Sequence, residues 1–399
     1  MKILVLDEEF PCPLNTGKRI RTFNLISRLA VGHEVRYLAY GSENSDSFTT
    51  LHESGLHPIA VPPQVPEKSG PTFYLRLAAN LFSSLPYIVS SHYSRPFALA
   101  LRRCLDNSPV DLILCEWSPY AVYLKETADI KAVIVAHNIE ARIWRRYYET
   151  EPGVLKKWYI GRQAVKVDAF ERAAFRAVDG ATAVSSEEAA AIKSFNPDLP
   201  VQVVENGVDL DYFAPSDPPP RPDRLVLTGA MDWRPNQDAA VYFVEAIFPL
   251  LRYKFPSLEV TLVGREPPRR VVELGRVDGV TVTGTVDDVR PYISEAAVYV
   301  VPLRVGGGSR LKILEALAMK KAVVSTSVGA EGLEVTPGRH LELADTPQQF
   351  AQKVSILLHD APRRTQLGEA GRRLVEERYG WDSIAAKLDS FLKEIATGK

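Results

Sequence analysis

Short apolar runs, largely β-branched, recur along the chain and are separated by stretches of helix length. In the first half they lie at Lys2–Leu6, Glu34–Tyr40, Asp111–Glu116, Lys131–His137, Gly180–Ser185 and Val201–Glu205. In the second half they lie at Arg224–Gly229, Leu258–Gly264, Val280–Gly284, Val298–Pro302 and Ala322–Thr326. The runs are continuous rather than alternating, which is the pattern of strands buried on both faces of a parallel sheet. Strand and helix in regular alternation predict βαβ units and doubly wound α/β domains.

A chain of 399 residues is long enough for two or three domains at roughly 150 residues each. The two halves of the pattern are separated by APSDPPPRPD, Ala214–Asp223, with five prolines in ten residues. Such a segment reads as a stiff, extended connector without regular structure. The expected division is residues 1–205, residues 206–380, and a terminal stretch 381–399. That last stretch is an amphipathic helix with Ile384, Leu388, Phe391 and Leu392 on its apolar face, expected to pack back on the first domain. Two doubly wound domains facing each other would leave a cleft at the carboxyl ends of both sheets, where open α/β sheets bind ligands.

Composition narrows the function. Net charge is -1, with 46% hydrophobic and 24% charged residues, an ordinary globular composition without the basic excess of a nucleic-acid binder. Cys12, Cys104 and Cys115 are far apart and form no CxxC pair, which fits reduced thiols in a cytoplasmic protein and no zinc site. The apolar run of MKILVLDEEFP is cut off by three acids, so it reads as a strand and not a signal peptide. No window approaches the ~18 apolar residues of a membrane span. There is no nucleophile elbow with a Ser-His-Asp order, no HExxH and no clustered acidic metal site.

Four stretches carry candidate chemistry. In VGGGSRLKILEALAMKK, Val305–Lys321, the glycines Gly306, Gly307 and Gly308 let backbone approach a ligand closely. Ser309 is a good cap for the helix that follows, and the free N–H groups of a helix start suit a diphosphate. Arg310 and Lys312 add charge there, and Glu315 could accept from a pair of ribose hydroxyls. The plain alternative is a glycine turn followed by a Lys312–Glu315 pair, and the stretch fits neither a P-loop nor a G-x-G-x-x-G fingerprint. Gly17 opens an amphipathic helix after the first strand, either as a simple turn or as a second phosphate contact. His137 ends a strand and so points into the expected cleft, while Asn138 and Glu140 read as a helix cap and first turn. The segment Arg142–Lys166 carries seven basic residues against two acids, with Trp144, Tyr147, Tyr148, Trp158 and Tyr159 interleaved. It reads either as a solvated helix face or as a surface for an anionic bilayer. Upstream, Phe73–Val89 reads as a core helix or as part of the same surface.

These stretches together resemble the GT-B glycosyltransferases, specifically glycosyltransferase family 4 in its bacterial polysaccharide branch, and the likeness spans essentially the whole chain. It rests on FPCPLNTGKRIRTFNLISRLAVGHEVRYLAY, on AHNIEARIWRR, on VENGVDLDYF, and on VTGTVDDVRPYISEAAVYVVPL followed by GGGSRLKILEALAMKKAVVSTSVGAEGL. The resemblance implies two Rossmann-like domains facing across a cleft. It implies transfer of a sugar from a nucleotide diphosphate sugar to a saccharide or lipid-linked acceptor. Transfer would proceed with retention, with no bound metal and no other cofactor, in surface or exopolysaccharide synthesis. It implies that Glu315 holds the ribose and that Gly284, Thr285 and Val286 read the base. Gly17, Gly306, Gly307, Gly308, Ser309, Leu311, Arg310 and Lys312 would hold the diphosphate. His137, Arg310 and Lys312 would be the catalytic groups, His137 beside the transferred sugar. The expected location is cytoplasmic, with peripheral contact to the inner membrane face if the acceptor is lipid-linked. The same fold also carries nucleotide-sugar 2-epimerases, and a non-catalytic nucleotide-sugar binder is a further alternative. Two positions depart from the family pattern. Gly307 stands where many relatives have a glutamate, and Ala230 and Pro235 stand near the places of an Arg and a Lys. Arg310, Lys312, Arg265 and Arg234 are the candidates to replace that charge.

Overall fold

The computed structural model describes residues 1–62, 70–127, 130–216, 220–305 and 310–398. The chain groups into two compact units, Met1–Glu205 with Ile384–Lys399, and Asn206–Ser383.

The first unit is built on seven parallel strands: β1 (Lys2–Leu6), β2 (Glu34–Tyr40), β3 (His57–Val61), β4 (Leu112–Cys115), β5 (Lys131–Val135), β6 (Gly180–Ala183) and β7 (Val201–Val203). Their order across the sheet is β3-β2-β1-β4-β5-β6-β7. β1 therefore lies inside the sheet, flanked by β2 and β4, and both of its faces are buried. The order reverses at β1, which puts the ends of β1 and β4 at the switch point where such sheets bind ligands. β3 escapes the apolar pattern because it is an edge strand, half-exposed and carrying Pro58, which an edge tolerates.

Four helices of this unit matter below: α1 (Gly17–Ala30), α2 (Pro71–Asn80), α3 (Glu140–Thr150) and α4 (Val154–Arg176). The Thr16 hydroxyl caps α1 by accepting from the Arg19 N–H at 3.3 Å.

The second unit has six parallel strands: β8 (Arg221–Thr228), β9 (Glu259–Val263), β10 (Val280–Val282), β11 (Ala296–Val301), β12 (Ala322–Ser325) and β13 (Glu342–Leu343). They run in the order β10-β9-β8-β11-β12-β13. The expected connector ends earlier than its prolines suggest, because β8 already begins at Arg221 and includes Pro222. An irregular register makes this possible. Arg221 pairs with Ala296 but Leu225 pairs with Val298, so the proline falls within the irregular stretch, where a proline is tolerated. Residues 217–219 of that segment lie outside the described residues.

Helices α5 (Arg234–Tyr242) and α6 (Leu311–Ala318) belong to this unit. α6 buries Ile313, Leu314, Ala316, Leu317 and Ala318. The helix Ala361–Arg378 closes over its far end at Gly368, where a side-chain carbon would lie 2.0 Å from the Lys320 carbonyl oxygen. The last helix, α7 (Trp381–Thr397), groups with the first unit from Ile384 onward. Phe391 and Ile395 fill the space left open at Gly180, and His33 bonds Asp389 at 2.6 Å.

Gly368→Ala is expected to lower the stability of the second unit by about 3 kcal/mol, because backbone must move to admit the methyl group. Gly32→Ala, whose methyl meets open space, should stay within about 0.5 kcal/mol. Urea unfolding of the two variants compares them directly.

Candidate functional site

In the second unit the loops after β8 and β9 touch. The Gly229 N–H donates to the Val263 carbonyl at 2.9 Å, and a side-chain carbon on Gly264 would fall 1.9 Å from the Gly229 oxygen. One on Gly229 would fall 2.8 Å from the Lys312 Nζ. Only glycine permits this close approach of loop, loop and lysine. Lys312, in the first turn of α6, donates at 2.6 Å to the Asn236 Oδ1, and the buried Asn236 Nδ2 donates back to the Ala230 carbonyl at 2.8 Å. The ammonium is thus aimed by an amide that is itself fixed by backbone.

The electrostatics are those of a desolvated lysine and carboxylate. Desolvation lowers Lys312 to about 8; Glu315 opposes that shift and Arg310 adds to it. Desolvation likewise raises Glu315 to about 7, against the pull of Lys312. Beneath them the buried Tyr299 hydroxyl bonds Thr228, joining β11 to β8 under the pair.

The start of α6 differs from the expected one. The helix begins at Leu311, and its cap position is Arg310, left-handed at φ 54, rather than Ser309. Arg310 is held there by Glu331, with its guanidinium 2.9 Å from the carboxylate and 3.3 Å from the carbonyl oxygen. A positive φ on a non-glycine residue needs such restraint. Gly306, Gly307, Gly308 and Ser309 lie outside the described residues. Gly284 follows β10 with φ 72, a conformation suited to glycine, and its carbonyl accepts from the Thr283 hydroxyl at 2.9 Å. Thr285 is exposed, while Val286 packs partly against the core. Of the residues considered for the missing Arg and Lys, Arg265 pairs with Asp232 at 3.2 Å and Arg234 is exposed at the start of α5.

Gly17 and His137 belong to the first unit. Gly17 is the first residue of α1. The His137 Nε2 lies 3.1 Å from Glu116 Oε2, which also accepts from the Thr22 hydroxyl at 2.8 Å. Glu116 is fully buried just beyond β4. Burial pushes its carboxyl up, but His137, Thr22 and Arg21 outweigh that and hold it below its usual value. An ionised carboxylate only accepts, so the His137 Nε2 carries the hydrogen of this bond and the ring is held in one orientation. Asn138 is not the expected helix cap. The Glu171 carboxylate, from α4, takes the N–H groups of Glu140 (3.0 Å) and Ala141 (2.8 Å). A second buried group sits at the end of β1, where Asp7 accepts from Lys18 and from the Tyr37 hydroxyl, each at 2.6 Å.

Sequence reasoning missed Glu116, Asp7, Asn236 and Gly229. All but Asn236 stand directly after a strand, so the rule that singled out His137 would have found them.

Two family models match the chain, Glycosyltransferase Family 4 over residues 20–212 and Glycosyl transferases group 1 over residues 222–360. The chain is a family 4-like glycosyltransferase. It is similar to a 44.6 kDa uncharacterized protein of the cps region of Klebsiella pneumoniae, 22% identical over 88% of this chain and 90% of that one. Among solved structures it resembles sucrose-phosphate synthase from Thermosynechococcus elongatus, with TM-score 0.71 and 18% identity over 100% and 99% of the two chains. It also resembles Anabaena HepE in complex with UDP-glucose, with TM-score 0.66 and 15% identity over 99% and 100%. The fold of the glycosyltransferase is accordingly GT-B, with two Rossmann-like parallel sheets.

Asn236→Leu removes the oxygen that accepts from Lys312. It should cost about 1.5–3 kcal/mol of stability at pH 7, the range for a hydrogen bond to a charged group, and should lower Lys312 further. Chemical denaturation and NMR titration of the lysine report the two effects.

Proposed function

We propose that this glycosyltransferase moves a sugar from a nucleotide diphosphate sugar to a hydroxyl of a saccharide or lipid-linked acceptor. Retention of anomeric configuration and a role in surface or exopolysaccharide synthesis are part of the same reading. The observation that carries it is the aimed ammonium of Lys312 among glycine loops at the first turn of α6, with Glu315 one turn further on. That arrangement fits a diphosphate at the helix start and a ribose against the carboxylate. Support for the donor class comes from the UDP-glucose bound by Anabaena HepE. Support for the pathway class comes from the cps region that holds the Klebsiella relative.

The chemistry follows from charge. As the glycosidic bond to the donor breaks, negative charge grows on the departing nucleoside diphosphate. A desolvated ammonium that is already oriented stabilises that charge without reorganising. Lys312 supplies it, with Arg310 behind it on its Glu331 tether, and no bound metal is part of this reading. Leu311 and Ser309 contribute backbone at the helix start, with the Gly306–Gly308 loop and Gly17 as further phosphate contacts. Gly284, Thr285 and Val286 offer backbone to the base. His137, oriented by Glu116, hydrogen-bonds a hydroxyl of the transferred sugar. The acceptor hydroxyl attacks from the leaving-group face, so no protein nucleophile is needed. The enzyme works in the cytoplasm, at the inner membrane face when its acceptor is lipid-linked.

Donor affinity should depend on pH within a narrow window. A bound anion raises the Lys312 pKa, so binding is full below the free value of about 8 and weakens as the pH rises above it. Glu315 must be ionised to accept both ribose hydroxyls, so binding also weakens below about 7. Calorimetry across pH 6–10 tests this range, roughly tenfold per pH unit at the steepest. Lys312→Arg, charged throughout, should abolish the alkaline decline. Glu315→Ala should weaken nucleotide binding about tenfold or more, and unchanged affinity would remove the ribose role. Lys312→Ala should slow transfer by about 10²–10³, and full activity would remove the phosphate role.

A further inference from the structure

The segment read as a core helix or as part of a surface divides: Val89 is in the core, with Leu85 and Ile88 packed against it, while most of α2 is not. On α2 the apolar positions Pro71, Tyr74, Leu75 and Ala78, followed by Phe82, fall at the spacing of one helical face. That face is turned outward, with Leu75 69% and Phe82 94% exposed. α4 carries a second outward stripe of Val154, Leu155, Trp158 and Val165, with Val154 86% and Leu155 80% exposed. Both stripes belong to the first unit.

Side chains from α4 fix the two stripes to each other. The Gln163 amide donates to the Asn80 Oδ1 at 2.8 Å and accepts from the Tyr87 N–H at 2.8 Å. The Lys166 ammonium donates to the carbonyls of Asn80 at 2.7 Å and Ser83 at 2.6 Å, placing a cation at the C-terminus of α2. Basic residues surround the apolar positions: Arg145 and Arg146 on α3, Lys156, Lys157 and Arg162 on α4. Lys157 lies over the Tyr148 ring and Arg162 over Trp158, at 5.2 and 5.7 Å. Of the two acids in this stretch, Glu151 is paired with Lys156 at 2.6 Å.

Exposed aliphatic and aromatic side chains framed by lysine and arginine match the boundary between anionic headgroups and acyl chains. The inner side of α2 meets a different requirement. It walls a cavity of about 340 Å³ lined by Tyr40, Arg76, Asn80, Tyr87, Ser91 and Tyr93. Aromatic faces, hydroxyls, an amide and a guanidinium are the groups that bind a sugar carrying a phosphate. Leu75 and Arg76 are adjacent in sequence, one on the outward stripe and one on the cavity wall.

We propose that α2 and the α3–α4 pair form a docking face for an anionic lipid bilayer. The cavity behind α2 takes the phosphosugar head of an acceptor anchored in that bilayer. The docking face stands on geometry and charge alone; the identity of the cavity's occupant rests on the transferase reading above.

Flotation with vesicles of phosphatidylcholine, with and without phosphatidylglycerol, tests the face. The wild type should bind the anionic vesicles at low salt, release them as salt rises, and ignore the neutral ones. Leu75→Asp with Phe82→Asp, both at exposed positions, should weaken that binding about tenfold or more while leaving the thermal melt and nucleotide binding unchanged. A wild type that ignores anionic vesicles, or a double variant that binds as the wild type does, overturns the face. Calorimetry with a soluble short-chain alkyl glycosyl diphosphate tests the cavity without requiring turnover. Arg76→Gln should weaken binding of this probe about tenfold, and Leu75→Asp with Phe82→Asp should not. Equal probe affinity in Arg76→Gln and wild type overturns the cavity's role. Glu315→Ala, in the other unit, should leave both measurements unchanged, so a failure of the donor assignment is read separately.

Discussion

A strand buried on both faces has no room for polar side chains along its length, and in this protein that constraint governs where chemistry can sit. β4 is apolar throughout, and β1 and β5 are apolar after a first lysine. Their candidate functional residues come in the first positions past the strand: Asp7, Glu116, His137. The second unit obeys the same rule with backbone in place of side chains, since β8 and β9 run into Gly229 and Gly264. Parallel pairing puts all these positions at one edge of each sheet, so residues far apart in the chain meet without further design.

Within that frame the candidate site of the second unit is organised around a charge without enough solvent. Lys312 is lowered and Glu315 raised, both by desolvation. Each retains only part of the stabilisation that an ion pair in the open would have. Asn236 keeps the ammonium in place meanwhile. Arg310 has a structural part that its position in the sequence does not announce. Its left-handed backbone and its contacts with Glu331 make it the joint at which the chain turns into α6.

The first unit pairs buried carboxylates with the groups they orient. Glu116 fixes the ring of His137, Glu171 closes the start of α3, and Asp7 gathers Lys18 and Tyr37. Each carboxylate is buried, and each is tolerated because it accepts several hydrogen bonds at once. The outer helices show the opposite economy, leaving apolar side chains in water on two adjoining stripes.

The sequence by itself determined the class of fold, the strand runs at the centre of each sheet, and the membership in the glycosyltransferase family. Those features are repeated, local signals: a strand buried on both faces advertises itself in every residue. It also singled out Lys312, Glu315 and His137, because a charged or imidazole group at a strand end or helix start is visible in a short window. β3 and β13 were not legible, since an edge strand or a two-residue strand carries no continuous apolar run. Only the tertiary structure decided the partners. Lys312 and Asn236 are 76 positions apart, Glu171 caps a helix 30 residues away, and Glu116 reaches His137 across a neighbouring strand. The apolar content of Phe73–Val89 likewise left open whether that segment is covered. A helical stripe records that one side differs from the other, and packing alone decides whether that side is covered.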